Sequence, residues 1–154
     1  MKDNTQVDAI YTDFSKAFDK VDHNLLLLKL QKMGIRDKVL NWIKTYLSRR
    51  TQNISINDIV STSFNVTSGV PQGSHLGPIL FIIFINYLTF KIKHCRYLLY
   101  ADDLKIYHPV NCPNDAENIQ NDINMIQKWC ELNFMYLNVK KCNSITFSKK
   151  KKCP

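Results

Sequence analysis

The sequence lacks the features that mark secreted, disulfide-stabilised and membrane-spanning proteins. Its five cysteines are odd in number and form no Cys-x-x-Cys pair, which argues against a disulfide framework and favours a reducing, intracellular setting. The N-terminus has no signal-peptide pattern, and the chain has no internal repeat. The apolar run at residues 78–90 is too short to cross a bilayer and is interrupted by Asn86, so we predict a buried helix there.

Acidic residues are fewer than basic ones. The 154 residues include 21 Lys and Arg against 13 Asp and Glu, which gives a formal net charge of +8. Such an excess favours a polyanionic partner such as nucleic acid, although charge alone leaves a basic protein without that partner equally open. The length and the apolar content of 45% suit one globular domain with a core. We expect this domain to be residues 1–148, followed by a solvated basic tail at residues 149–154.

Hydrophobic periodicity and turn residues predict an α+β fold. A short apolar strand ends at Asp13, and Asp22 is placed to cap a leucine-rich helix that Gly34 ends. The predicted elements are a strand at 7–14, helices at 23–33, 38–47, 76–91 and 115–133, a small hairpin insertion at 51–67, a central hairpin at 96–107 and a strand at 144–147. If the four main strands pair, they form an antiparallel sheet with helices packed on one face, of the split βαβ, ferredoxin-like kind.

Two local expectations follow from the same patterns. The helix at residues 38–47 is expected to bury one stripe that includes Val39 and Trp42. Pro109 and Pro113 are expected to lie in a linker that leads into the last long helix.

Adjacent carboxylates in Tyr100-Ala101-Asp102-Asp103 are the most informative feature of the chain. They lie between two apolar, strand-like runs and predict a tight turn. Adjacent like charges repel unless a cation neutralises them, and hard carboxylate oxygens select Mg²⁺. In a split βαβ sheet the strand that ends at Asp13 meets this turn, so we expect Asp13 to face Asp102 across a gap that holds two metal ions. Taken alone, Asp13 is better explained as a strand-end residue that turns the chain.

Four segments resemble, in order, the palm motifs of reverse transcriptases from jockey-like non-LTR retrotransposons. They are DFSKAFDKVDH at residues 13–23, SGVPQGSHLGPILF at 68–81, YADD at 100–103 and LNVKKC at 137–142. The resemblance implies a right-hand polymerase palm and an RNA-directed DNA polymerase, in which a primer 3′-hydroxyl attacks the α-phosphate of a dNTP. A viral RNA-dependent RNA polymerase shares the paired carboxylates, but Ala101 and Phe18 argue against that family.

The resemblance also implies which residues carry the chemistry. Asp13 and Asp102 are expected to bind two Mg²⁺ ions, or Mn²⁺, with Asp103 as a supporting carboxylate. Lys141 aligns with the lysine of the fourth motif and is the candidate proton donor to the pyrophosphate leaving group. Lys140 competes for that role, and a solvated surface lysine explains either residue at least as well.

Nucleotide and nucleic-acid contacts are implied in the same way. The expected dNTP-binding residues are Phe14, Ser15, Lys16, Ala17, Phe18, Gln72 and Gly73. The expected nucleic-acid contacts are Gly69, Pro71, Tyr100, Arg49 and Arg50, with a solvated face as the alternative for the two arginines. Phe18 matches the steric gate, whose ring leaves no room for a ribose 2′-hydroxyl, and a core phenylalanine is its alternative.

Two functional interpretations stay open. The first is an RNA-directed DNA polymerase, as a truncated piece of a retrotransposon polyprotein. The second is a non-catalytic palm remnant that binds nucleic acid. Asp13 lies close to the N-terminus and the fourth motif lies close to the C-terminus, so we expect the first finger strands and the thumb to lie outside the chain. The expected partners are an RNA template, a DNA primer and dNTP, with no membrane, in the cytoplasm and nucleus by family analogy.

Overall fold

The computed structural model describes residues 6–148, which contain eight strands and four α-helices. In chain order the elements are β1 (Gln6–Thr12), α1 (His23–Lys32), α2 (Asp37–Leu47), β2 (Arg50–Gln52), β3 (Ser55–Ile56), β4 (Ile59–Val60), β5 (Phe64–Val66), α3 (Leu76–Asn86), β6 (Arg96–Tyr100), β7 (Asp103–Val110), α4 (Pro113–Leu132) and β8 (Asn143–Phe147). The chain divides into two compact units. The first contains residues 6–15 and 85–148, and the second is Lys16–Phe84.

A four-stranded sheet in the order β6-β7-β1-β8 forms the first unit. Every neighbouring pair is antiparallel. Four strands in this order, with the first strand between the third and the fourth, form the split βαβ arrangement, so the predicted α+β fold is confirmed. Leu104 and Ile106 on β7 are buried, and they alternate with the partly exposed Lys105 and Tyr107. The helix α4 packs against β7.

One buried carboxylate on α4 fixes the segment that leads into β6. Asp122 is 1% exposed and accepts hydrogen bonds from the backbone N–H groups of Lys93, His94 and Cys95 at 3.0, 2.9 and 2.7 Å. Burial opposes ionisation of Asp122, but the three N–H groups outweigh it and hold the pKa of this carboxyl below its usual range. The charge is therefore satisfied inside the fold.

Two packed helices and a small hairpin form much of the second unit. Asp22 caps α1 as predicted, because its side chain accepts a hydrogen bond from Leu25 N at 2.8 Å. The hairpin is also confirmed: β2 pairs with β5 and β3 pairs with β4. Its turn residues, Asn57 and Asp58, have φ angles of 47° and 65°, as a type I′ turn requires.

A lysine is buried in this second unit. Lys29 on α1 is 8% exposed, and its Nζ donates to Phe84 O at 3.2 Å and lies 3.7 Å from the centre of the Phe84 ring. Burial disfavours the charged form and lowers the pKa of Lys29 to about 7.

The predicted apolar stripe of α2 is wrong in part. Ile43 and Leu47 are buried, but Val39 and Trp42 are 56% and 58% exposed. Trp42 stacks on Tyr46 of the same helix at 5.8 Å between ring centres. Helical spacing shows that these residues share one side of the helix, but it does not show how much of that side is covered.

Two predicted boundaries also differ. The helix α3 ends at Asn86 and not at Lys91, because Thr89 Oγ1 donates to Asn86 O and a separate 3₁₀ turn, Thr89–Lys91, follows. Pro109 lies in β7 and not in a linker. Because β6 pairs with β7 only as far as Tyr107, Pro109 lies beyond the paired part on that side, where a missing N–H is tolerated.

Pro113 is the first residue of α4, a position where a proline needs no N–H partner. Every helix within residues 6–148 is too short or too polar to span a bilayer. The predicted basic tail at 149–154 lies outside the described residues.

Candidate active site

Strand pairing brings two of the predicted carboxylates to the same end of the sheet. Thr12 is the last residue of β1 and pairs with Leu104 of β7, so the next residues, Asp13 and Asp103, lie side by side at the ends of adjoining strands. Thr12 Oγ1 also donates to Leu104 O at 3.1 Å, which adds to the backbone ladder at this point.

Asp13 and Asp103 line one cavity of about 560 Å³ in the first unit. Lys105 and Lys141 line it as well, together with Tyr11. The cavity therefore holds two carboxylates and two ammonium groups. Lys105 Nζ lies over the Tyr11 ring, 4.8 Å from its centre.

Asp102 lies in the turn between β6 and β7, and it is not among the residues that line this cavity. The strand register thus places Asp103 beside Asp13, with Asp102 next to it in the turn. The turn is tight: Tyr100 pairs with Asp103, and Ala101 has a φ of 50°, which is uncommon for a residue with a Cβ. Tyr100, a predicted nucleic-acid contact, is 83% exposed.

Backbone hydrogen bonds hold Lys141 against the end of β1. Asn138 N donates to Asp13 O at 2.8 Å, and Lys141 N donates to Asn138 O at 2.9 Å. Phe14 and Leu137 form a further antiparallel bridge between the two segments. As a result, Lys141 Nζ lies 3.6 Å from Asp13 Oδ2.

The carboxylates at this end of the sheet are the kind of ligand that binds a divalent cation. Within residues 6–148, no three His, Cys, Asp or Glu side chains are grouped closely enough to hold a metal ion. Two carboxylates nevertheless converge from different strands, a third follows in the adjoining turn, and carboxylate oxygens are the ligands that Mg²⁺ prefers. Lys141 supplies the positive charge beside Asp13.

A cleft of about 810 Å³ in the second unit brings together residues from the first and second motifs. Lys16, Lys20 and Arg50 give it three cationic side chains. Gln72 lines it too, and its Nε2 donates to Asp19 Oδ1 at 2.9 Å. A groove with this charge suits a phosphate-containing ligand.

The loop of the second motif is tied closely to the first motif. Gly69 N donates to Val21 O at 2.8 Å, and Val70 N donates to Phe18 O at 2.9 Å. Gly69 has a φ of 81°, and a Cβ on it would lie 2.8 Å from Asp19 Cα. Only glycine fits this conformation and this approach without a shift of backbone.

The Arg50 guanidinium donates hydrogen bonds to backbone carbonyls of this loop and of α2. Its Nη2 donates to Gly69 O at 2.6 Å and its Nε donates to Leu47 O at 3.0 Å. His23 Nε2 also contacts Gly69 O at 2.8 Å. Arg49 has a φ of 57° and is exposed.

Phe18 has a partner that holds its ring. It stacks on Phe81 with 4.1 Å between ring centres and an interplanar angle of 18°. Phe18 is partly exposed, whereas Phe81 is fully buried. The ring is therefore fixed from one side and accessible from another.

Sequence reasoning missed Asp19 and Lys105. Strand alternation is a signal for Lys105, because it lies two residues after Asp103 on β7 and so shares its face of the sheet. Asp19 had no such signal, since its partner Gln72 is 53 positions away.

A sheet of this topology with carboxylates at one end of adjoining strands is the arrangement expected of a polymerase palm. Residues 3–153 match the family described as reverse transcriptase (RNA-dependent DNA polymerase). The chain belongs to the reverse transcriptase family.

The relatives agree with the predicted jockey-like resemblance, which is confirmed. The chain is 28% identical over 151 residues to the probable RNA-directed DNA polymerase from transposon X-element of Drosophila melanogaster, covering 95% of this chain and 16% of that protein. It is 28% identical over 153 residues to the RNA-directed DNA polymerase from mobile element jockey of Drosophila melanogaster, covering 94% of this chain and 17% of that protein. The chain thus spans less than a fifth of the length of these relatives.

A solved structure is similar in fold. Telomerase from Candida tropicalis, in complex with a fragment of telomeric RNA, matches with a TM-score of 0.72 at 15% identity, covering 94% of this chain and 26% of that one. This likeness confirms the polymerase palm fold.

Proposed function

We propose that this chain acts as the palm of an RNA-directed DNA polymerase, which transfers a nucleotide from a dNTP to a primer 3′-hydroxyl on an RNA template. The observation that carries the proposal is the cavity that Asp13, Asp103 and Lys141 share. Phosphoryl transfer needs oxygen ligands for divalent cations and a positive charge near the leaving group. Both kinds of group line this cavity.

Asp13, Asp103 and Asp102 are the proposed ligands of two Mg²⁺ ions, with Mn²⁺ as an alternative. When bound, such ions stabilise the negative charge that develops on the attacking and leaving oxygens. Support comes from the position of Asp13 and Asp103 at the ends of two different strands, because a single loop cannot bracket two ions.

Lys141 is the proposed proton donor. Its ammonium group donates a proton to the pyrophosphate oxygen as the bond from that oxygen to the α-phosphorus breaks. Lys141 lines the cavity, and Lys140 is not among the lining residues, which favours Lys141 for this role.

Phe18 and Gln72 are the proposed nucleotide-selecting residues. Support for the gate is the stacking of Phe18 on Phe81, because a ring that is held in place can exclude a 2′-hydroxyl by its bulk. Gln72 lies in the cationic cleft, which favours a role in binding a triphosphate-bearing ligand.

An RNA template and a DNA primer are the proposed partners. The net charge of +8 and the three cations of the cleft support binding of a polyanion. The similar telomerase structure contains RNA, which supports RNA as one of the two strands.

The test is primer extension on poly(rA)/oligo(dT) with Mg²⁺. We expect the wild-type chain to incorporate dTMP, and we expect Asp13→Asn and Asp102→Asn to lower the rate by at least about a hundredfold, because each removes a charged ligand. Asp58→Asn, in the exposed turn of the small hairpin, is the matched control and is expected to leave the rate unchanged.

The second candidate is a palm that binds nucleic acid without polymerising it. The basic cleft favours it, because three cationic side chains against the one carboxylate of Asp19 give it a net positive charge, which attracts a phosphate backbone without any reaction. Binding of the RNA·DNA duplex by fluorescence anisotropy, with no incorporation by the wild-type chain, would identify this function and exclude the first.

A further inference from the structure

One hydrogen bond joins side chains from two separate motifs in the second unit. Gln72 Nε2 donates to Asp19 Oδ1 at 2.9 Å, and both residues line the same cleft. We propose that Asp19 is a positioning residue that sets the orientation of the Gln72 carboxamide, and thereby the part of the nucleotide that Gln72 recognises. The inference rests on the proposed function, since it deepens the role of Gln72 in binding dNTP.

The chemistry of the pair decides which way the amide faces. An ionised carboxylate accepts hydrogen bonds and donates none, so Asp19 must face the amide nitrogen of Gln72. The Gln72 oxygen Oε1 is then directed away from Asp19. Without such a partner, rotation about the last side-chain bond exchanges nitrogen and oxygen at little cost. Asp19 therefore makes Gln72 Oε1 available as an acceptor for a hydroxyl or amino hydrogen of the nucleotide.

Residues of the second motif also hold the backbone of Asp19 in place. Ser68 Oγ donates to Asp19 O at 2.8 Å. Gly69 approaches so closely that an added Cβ would lie 2.8 Å from both Asp19 Cα and Asp19 O. The carboxylate is therefore attached to backbone that Ser68 and Gly69 hold in place, and this makes it suitable for orienting Gln72.

Two other roles explain Asp19 less well than positioning does. A direct contact with phosphate is unfavourable, because Asp19 carries the same sign of charge as the phosphate. Simple neutralisation of Lys16, Lys20 or Arg50 does not require the hydrogen bond to Gln72. A positioning role explains the hydrogen bond between Asp19 and Gln72, and these two other roles do not.

The experiment measures dTTP kinetics in primer extension for the wild type, Asp19→Ala and Asp19→Asn. We expect Asp19→Ala to raise the KM for dTTP about fivefold, the value of one hydrogen bond, with kcat changed less than twofold. Asp19→Asn keeps an acceptor oxygen and is expected to restore most of the affinity. Glu117→Ala, which removes an exposed carboxylate from α4, is the control.

A double-mutant cycle separates positioning from general destabilisation. If Asp19 acts through Gln72, the effect of Asp19→Ala on KM disappears in a Gln72→Ala background. If Asp19→Ala unfolds, Asp19→Ser gives the same cycle. Additive effects of the two substitutions, or an unchanged KM in Asp19→Ala, overturn the inference and leave the proposed function intact. A wild-type chain that incorporates no nucleotide overturns both.

Discussion

The two units of the chain place their proposed functional residues by different physical means. In the first unit, Asp13 and Asp103 lie side by side because β1 and β7 pair in register through backbone hydrogen bonds. In the second unit, Asp19 and Gln72 lie outside strands and are held by side-chain bonds and by the close approach of Gly69. Backbone pairing tolerates many side chains, whereas the second arrangement depends on particular ones. We therefore expect substitutions to be more damaging to positioning in the second unit.

The units also differ in how they treat a buried charge. Asp122 in the first unit accepts three backbone N–H bonds, so its charge is compensated. Lys29 in the second unit is placed where burial lowers its pKa to about 7, so its charge costs stability at neutral pH. At Asp122 the three N–H groups outweigh the effect of burial on the pKa, whereas at Lys29, which donates to Phe84 O, the effect of burial is the larger one.

The largest expected effect is the pH dependence that Lys29 imposes. Its folded pKa of about 7 lies below its unfolded value, so between these values the unfolded chain binds a proton that the folded chain does not. The free energy of unfolding should therefore rise from pH 7 to pH 10, by up to about 4 kcal/mol from this group. Urea unfolding across this range should show the rise in the wild type and lose it in Lys29→Met.

The control for Lys29 is Lys32→Met, which removes the same charge from an exposed position of α1. If the free energy of unfolding depended on pH in the same way in both variants, the destabilisation assigned to the buried charge of Lys29 would be contradicted. At pH 7 we expect Lys29→Met to be more stable than the wild type, because a buried methionine carries no charge.

The second-largest expected effect is the loss of stability when the buried charge of Asp122 is removed. Asp122→Asn should lower the free energy of unfolding by about 3 kcal/mol, because an amide offers one oxygen and an NH₂ group to three N–H donors. Asn121→Ala, at an exposed neighbouring position, is the control.

The sign of the pH effect at Asp122 is opposite to that at Lys29. Because the folded pKa of Asp122 is lowered, its stabilisation is present above the unfolded value of about 3.9 and is lost as the pH falls through the folded value. The wild type should therefore lose more stability than Asp122→Asn on acidification below about pH 4. Equal losses of stability in the wild type and in Asp122→Asn would show that the three N–H groups do not stabilise the ionised form of Asp122.

A smaller effect isolates the close approach at Gly69. Gly69→Ala should destabilise the chain by about 2 kcal/mol more than Gly73→Ala. Both glycines have a positive φ, 81° and 77°, but only the Cβ at position 69 would meet the backbone of Asp19. Thermal unfolding of the two variants compares them directly, and similar midpoints would show that backbone conformation alone requires the glycine.

The smallest effect concerns the first unit and Lys141. Its ammonium lies 3.6 Å from Asp13 Oδ2, so a cation that binds Asp13 must compete with it. Because Lys141 is largely exposed, we expect Lys141→Met to tighten Mn²⁺ binding by no more than about fivefold, under about 1 kcal/mol. Lys140→Met removes the same charge and should leave the affinity unchanged. Calorimetric titration with Mn²⁺ distinguishes them, and equal affinities would exclude the competition.

Local features of the sequence predicted the elements that local physics controls. Asp22 caps α1, Asn57 and Asp58 form the tight turn, and the Asp102–Asp103 hairpin lies between two strands as expected. Each depends on hydrogen bonds or on periodicity within a few residues, and the sequence shows these directly. The metal ligands, the gate at Phe18 and the role of Lys141 stay predictions.

Long-range packing decided the rest. Spacing alone could not show that Asp103 shares a cavity with Asp13 or that Trp42 is exposed. Nor could it show that Gln72 meets a carboxylate 53 positions away.

By itself, the sequence determined the family, the order of the strands and helices, and the residue types available for chemistry, because motifs and periodicities are properties of the chain. Only the tertiary structure decided which of those residues meet. Strand register and loop packing are set by contacts between distant segments, and their energies depend on the whole fold.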